Sequence, residues 1–397
     1  MRFRALASMA LVLVWASGCG AKPATGAGGG GVASGGGSAA GGGAATGGGT
    51  ATGGGASAGG GSATGGGSAA GGGSASGGGS AVGGGSATGG GSASGGGTAD
   101  AGTTMPAPHG CVTDVSAGHH KFSCNSINFD VEIPASCAAG GCGVVFDVHG
   151  LTMNADQEDK STGLRALGQT MGYVIVQPTA PSSLIGPSWT PGADDTVVWG
   201  FMQDAIVALV LDQKKLHFTG FSQGGAMTWR MVCQHSDVLA SAAPVAAADA
   251  KMQQPAMPPY ILDCPFDSTS APSQPIPVLQ MHGSQDALVP IAKGTQQRDT
   301  AVTYWALGAA TPVSSDSTYT WTRYSGSNGM VYEFIQHDYV VTPPLIPITL
   351  GGHCLAGGDD LNTNGTFGQT MYFSCAPPNS FVWGQALMDF FVAHPRP

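Results

Sequence analysis

Beyond about residue 105 the apolar residues recur with two alternating periods. Short, almost continuously apolar runs read as buried strands: Val144-Val145-Phe146-Asp147-Val148, residues 173–177, Lys215-Leu216-His217-Phe218-Thr219, and stretches near 240–246, 278–281 and 331–336. Between them lie segments with apolar positions three and four apart. These predict helices near 157–171, over Val197, Val198, Phe201, Ala205, Ile206 and Leu209, over 225–232, and near 380–393. Strands alternating with helices imply an α/β fold, a mostly parallel sheet with helices on both faces.

Ahead of this domain the pattern vanishes. From Gly35 to Asp100 the chain runs in hexads of the Gly-Gly-Gly-Ser-Ala-Thr type, which account for much of its 68 glycines. No hexad carries a hydrophobic face, so a repeat fold is excluded and a flexible tether with ends about 45–50 Å apart is expected. At the N-terminus, Arg2 and Arg4 precede an apolar run from Ala5 to Trp15, followed by Ala16, Ser17, Gly18 and Cys19. That is the layout of a secretory signal, and the cysteine after small residues resembles a bacterial lipobox, which implies lipidation at Cys19. The expected organisation is a signal peptide over 1–19, a linker over 20–104 and a catalytic domain over 105–397. The protein is then extracytoplasmic, secreted or held to the cell envelope through Cys19.

Charge and cysteine content narrow the domain further. Only Arg2, Arg4 and Lys22 precede Asp100, so the remainder sets 24 acidic against 11 basic residues, a formal net charge of −13. A domain so acidic lacks the basic face that nucleic acid requires. With Cys19 set aside, eight cysteines remain, an even number in an exported chain. Pairing neighbours gives the simplest disulfide set: 111–124, 137–142, 233–264 and 354–375. No Cys-x-x-Cys pair stands with histidines at ligand spacing, so no metal and no cofactor are expected.

Gly-x-Ser-x-Gly occurs twice. The copy around Ser57 lies in the tether and is an accident of composition. The copy at Gly220-Phe221-Ser222-Gln223-Gly224 lies between an apolar run and a helical pattern, the strand–turn–helix setting that presents a serine at a sharp bend. A serine hydroxyl needs a base, and the base an orienting carboxylate, in the order serine, acid, histidine. Asp286 sits just beyond the strand that ends in His282-Gly283; Asp263 and Asp267 are rivals in a loop with no strand to place them. Among the later histidines, His337 ends a strand and His394 a helix. His353 follows two glycines that let the backbone bend toward the serine, and it is the expected base. The oxyanion hole is expected from the backbone N–H groups of Gln223 and Leu151, the latter in the His149-Gly150-Leu151 loop after a strand. His149 and His282 read as structural.

These motifs, with Ser188-Trp189, Asp194-Asp195, Ala243-Pro244-Val245-Ala246 and Gly351-Gly352-His353, resemble the secreted esterase family of polyhydroxybutyrate depolymerases and feruloyl or acetylxylan esterases. The resemblance implies an α/β-hydrolase fold and ester hydrolysis through an acyl-enzyme; the expected partner is an ester substrate that can be polymeric, and the expected state is a monomer. By the same resemblance Trp189 lines the substrate cleft, with packing in the core as the alternative. Cys354-Leu355-Ala356-Gly357 stands where the family commonly has Trp-Pro-Gly, which leaves acyl specificity open. A serine peptidase of the same fold and an inactive surface-binding domain are the alternatives. Asp360-Leu361-Asn362-Thr363-Asn364-Gly365 matches half of a calcium loop but has Met371 where a glutamate belongs, and it reads as a polar turn.

Overall fold

The computed structural model describes residues 105–184, 186–247, 264–341, 350–358 and 373–397. The leader with Cys19, the linker, Asp263, most of the 346–350 run and the Asp360–Gly365 loop lie outside the described residues. No helix among the described residues is long and apolar enough to cross a membrane.

Among the described residues ten strands make one sheet, and its centre follows the apolar runs. In chain order the strands are β1 (Gly118–Cys124), β2 (Ile127–Ile133), β3 (Gly143–Val148), β4 (Tyr173–Thr179), β7 (Leu216–Phe221), β8 (Ser241–Val245), β9 (Val278–Gly283), β10 (Thr311–Ser315), β11 (Tyr319–Ser325) and β12 (Val331–His337). Their spatial order is β1-β2-β4-β3-β7-β8-β9-β12-β11-β10. The six strands from β4 to β12 are mutually parallel, and an antiparallel pair closes each edge. A two-stranded hairpin, β5 (Ser182–Ser183) with β6 (Gly186–Pro187), stands apart from the sheet.

Side-chain alternation along β3 shows how both faces are covered. Val144, Phe146 and Val148 join one buried cluster with Phe201 of α3 (Ala193–Ala208), Trp229 and Val232 of α4 (Gln223–His235) and Ala301 of α5 (Ile291–Tyr304). Val145 points the other way, into a cluster with Leu164 of α2 (Leu164–Met171) and Trp383, Leu387 and Phe391 of α6 (Trp383–Ala393). Burial on both faces is why the central strands read as continuous apolar runs. The single helix expected near 157–171 is two, α1 (Ala155–Thr162) and α2. Gly163 adopts φ +66° between them, and its N–H caps α1 on the carbonyl of Asp159. All four neighbouring cysteine pairs are closed as disulfides.

Candidate active site

Parallel strands deliver their C-terminal loops to one edge of the sheet, and the loops after β7, β9 and β3, together with the His353 loop, build the site. At the end of β7, Ser222 takes φ +53°, ψ −110°, a conformation that costs a non-glycine residue on the order of 1–3 kcal/mol. Its N–H donates to the Val245 carbonyl at 2.9 Å, and its own carbonyl accepts from Ala226 at 2.9 Å, so α4 starts at once after the bend. Neighbouring positions have no room for side chains. A Cβ on Gly225 would stand 2.6 Å from the Val245 oxygen, and one on Gly220 2.6 Å from the carbonyl carbon of Gly224.

The turn after β9 holds Asp286. One carboxylate oxygen accepts from the N–H groups of Leu288 (2.9 Å) and Val289 (2.8 Å), and the other accepts from His353 Nδ1–H at 2.8 Å. Both side chains are buried. The His353 loop reaches this turn because Gly351 and Gly352 bring backbone onto backbone. Gly351 has φ +59°, and a Cβ there would stand 1.8 Å from the Gln285 oxygen; one on Gly352 would stand 2.8 Å from the Gly283 Cα. The imidazole packs against Phe221, ring centroids 4.8 Å apart, and against Phe373 at 6.0 Å, which sets it beside the residue preceding Ser222. Cys354 follows directly and is bonded to Cys375. Of the rivals, Asp267 accepts from Thr269 in an exposed turn, and His394 bonds the Phe390 carbonyl on α6. His282 donates Nε2–H to Val289 O at 2.8 Å, and burial lowers its pKa. Burial likewise pushes His337 down to about 4.

The third loop follows β3. His149 is wholly buried, with Nδ1–H donating to Gly150 O at 2.6 Å and Nε2 accepting from Ala180 N–H at 3.0 Å. One nitrogen donates and the other accepts, so the ring is neutral, and burial pushes its pKa down to about 4. That agrees with the structural role expected for it. A Cβ on Gly150 would stand 3.3 Å from Ser222 Cβ, so this backbone passes directly over the serine. The loop residue Leu151 is half-buried, and Thr152 donates its N–H to Pro187 O of β6 at 2.8 Å.

Trp189 departs from expectation. Its ring is only 1% exposed and packs 4.9 Å from the His149 ring, with the indole N–H donating to the His149 carbonyl at 2.9 Å. A cleft wall presents a ring face to solvent; this one is spent on packing beneath the loop, so the cleft-lining assignment is corrected to an internal one. The sequence reading also missed the side chain of Gln223. Its Oε1 accepts from Trp189 N–H at 2.9 Å, and its Nε2 donates to Ser188 Oγ at 3.2 Å and Trp189 O at 3.3 Å. Asp194 and Asp195 accept from the N–H groups of Thr190 and Gly192, and Asp195 forms a buried bidentate pair with Arg230 of α4. The co-occurrence of Ser188-Trp189 with Asp194-Asp195 carried that signal, because acidic side chains at a helix start commonly satisfy the preceding loop.

Two trios of metal-type side chains occur among the described residues, His337 with Cys354 and Cys375, and Asp204 with Cys111 and Cys124. In both, the sulfurs are consumed by disulfides, which leaves one ordinary ligand each.

A mostly parallel sheet with a strained serine elbow after β7, an acid turn after β9 and a histidine loop beyond β12 has the α/β-hydrolase fold. Comparison with known proteins places esterases beside it. The chain is 32% identical to feruloyl esterase B of Piromyces equi over 113 residues, 28% of this chain and 19% of that protein. It is 27% identical to the esterase NocK of Nocardia uniformis subsp. tsuyamanensis over 150 residues, 36% of this chain and 40% of the other. The match thus spans well under half the length of either curated relative. Among solved structures, acetyl xylan esterase from Aspergillus awamori aligns with TM-score 0.44 and 16% identity, covering 53% of this chain and 87% of that one. No protein-family model matches the chain.

Proposed function

We propose that this protein is a serine carboxylic ester hydrolase acting outside the cytoplasm through an acyl-enzyme. One observation carries the reading: residues 67 positions apart, Asp286 and His353, are hydrogen-bonded to each other against Phe221, the neighbour of the strained Ser222. With Nδ1–H held by Asp286, Nε2 is the nitrogen that takes the Ser222 proton as Oγ attacks the ester carbonyl. The carbonyl oxygen gains negative charge and is met by the backbone N–H groups of Gln223 and Leu151. Collapse expels the alcohol, protonated by His353, and leaves an acyl group on Ser222. His353 then draws a proton from water, which attacks the acyl carbonyl and frees the acid and the serine.

The named activities of the feruloyl esterase and NocK support an ester as substrate. Four disulfides support an oxidising compartment, which fits the signal and lipidation at Cys19 read from the sequence. The test is hydrolysis of p-nitrophenyl acetate, methyl ferulate, a hydroxybutyrate oligomer and matching anilides by wild type and Ser222→Ala. Ester turnover that vanishes in the variant is expected. Activity equal in both, or faster cleavage of anilides than of esters, overturns the reading.

A further inference from the structure

The proposed oxyanion hole takes its two donors from different elements. The Gln223 N–H belongs to the elbow and the Leu151 N–H to the loop after β3. Stabilising an oxyanion needs both hydrogens aimed at one point, within about half an ångström of the productive geometry, so something must set the spacing of loop to elbow. Val148-His149-Gly150 continues from β3 and cannot be fixed by strand pairing beyond Val148, which pairs with Gly220. The connection that goes further runs through side chains. Gln223 makes three hydrogen bonds to Ser188 and Trp189, and Trp189 donates its indole N–H to the His149 carbonyl.

We infer that Gln223 and Trp189 act as positioning residues, a side-chain link that sets the distance between the two oxyanion donors. This rests on the esterase reading and deepens it. Gln223 would thus contribute twice, once through its backbone N–H as a donor and once through its amide as the anchor of the segment that carries the other donor's support. The chemistry of each bond is suited to the task. A primary amide can accept from one backbone N–H while donating to two oxygens, which an alkyl or carboxylate side chain cannot do. An indole supplies one buried, directional N–H on a rigid ring held by packing against His149. The link is also supported from behind, since Asp194 and Asp195 fix Thr190 and Gly192, and Arg230 holds Asp195.

Positioning of this kind acts on the transition state and leaves ground-state binding nearly unchanged. The experiment therefore measures kcat, KM and inhibition by an alkyl boronic acid, whose tetrahedral adduct imitates the oxyanion, for wild type, Trp189→Phe, Gln223→Ala and the double variant. Trp189→Phe keeps the ring and removes only the N–H; Gln223→Ala keeps the backbone N–H and removes the anchor. Expected for each is a ten- to hundredfold fall in kcat with KM within twofold, and a boronic-acid affinity weakened by the same factor. The double variant should lose little beyond the worse single one, because both break a single link. Unchanged kcat, a loss confined to KM, or losses that multiply in the double variant would overturn the inference. Should Trp189→Phe fail to fold, Gln223→Glu, which can accept from Trp189 N–H but cannot donate to Ser188 or Trp189, carries the same expectation and the same refutation. A wild type that neither turns over esters nor is labelled at Ser222 by a fluorophosphonate removes the esterase reading and this inference together. An active wild type with unaltered variants removes this inference alone.

Discussion

A Cβ on Gly224 would stand 1.8 Å from the carbonyl oxygen of Val148. The first turn of α4 therefore lies on the end of β3 with only a hydrogen between them, and this contact sets how near the helix comes to the strand end.

Gly224→Ala should separate the two. The helix must lift or the strand end must move, at a cost of about 1–3 kcal/mol for overpacking, and Ser222 should lose its alignment with Gly150. The expected result is a lowered urea midpoint together with loss of fluorophosphonate labelling at Ser222. A variant with native midpoint and native labelling would show that this contact is soft.

Asp286→Asn should leave the fold intact and the reaction crippled. An amide can offer its N–H to His353 and stabilise the wrong tautomer, for which losses of about 10⁴-fold in kcat are typical. His353→Ala should cost at least as much as Asp286→Ala, since the base is lost outright. The reverse order would show that another carboxylate serves. Steady-state kinetics on one activated ester decides it.

Removing the Cys354–Cys375 disulfide should damage catalysis as well as stability. The bond begins at the residue after His353 and closes 21 residues, a loop worth about 3 kcal/mol by chain entropy. Cys354→Ser with Cys375→Ser is expected to lower both Tm and kcat. Breaking Cys137–Cys142, five residues apart and ahead of β3, should leave kcat near wild type. Equal kcat losses from the two would disconnect the disulfide from the histidine loop.

Stability should fall as pH rises above neutrality. Asp147 and Glu158 are buried together between β3 and α1. Burial raises the Asp147 carboxyl to about 7, with Gln177 and Thr162 donating to it, and raises Glu158 well above its ordinary value. A raised acid favours the folded state below the unfolded pKa and loses that contribution as pH climbs through the folded one. Buried His149, His217 and His337 have depressed values of about 4, 3 and 4. They act oppositely, costing stability as pH falls below about 6.5. Between about pH 4 and 6.5 the two sets offset each other; above about pH 6.5 the acids act without the histidines, Asp147 up to its folded value of about 7 and Glu158 through its own raised one. Urea midpoints should decline over that upper window and decline less in Glu158→Gln. A flat profile in wild type would refute the pair's role.

Much of this was legible in the sequence where burial on both faces forces an unbroken apolar run. The strands at 143–148, 173–179, 216–221 and 278–283 are of that kind, and Ser222 and Asp286 follow directly from the ends of the last two. The edges were not legible. All five residues of β10, Thr311–Ser315, are exposed, so no apolar alternation marks them. The β1–β2 hairpin turns on Asn125 and Ser126, both at positive φ, without the glycine that usually signals such a turn. Helix α5 is largely polar, with Gly294 and Gln297 among its few buried positions. The fate of Trp189 depended on a partner 34 residues away, Gln223, and no local pattern shows whether an indole meets solvent or a carbonyl.

Gly283 and Gly352 have a last consequence. Where the acid turn meets the histidine loop, the surfaces in contact are bare main chain, and a Cβ on Gly283 would stand 2.2 Å from the Gly352 oxygen. The separation of Asp286 from His353 is thus set by peptide geometry, which is the same in every protein, and owes little to the side chains nearby. A seam of this kind leaves the neighbouring side chains free to be exchanged without moving the carboxylate relative to the imidazole.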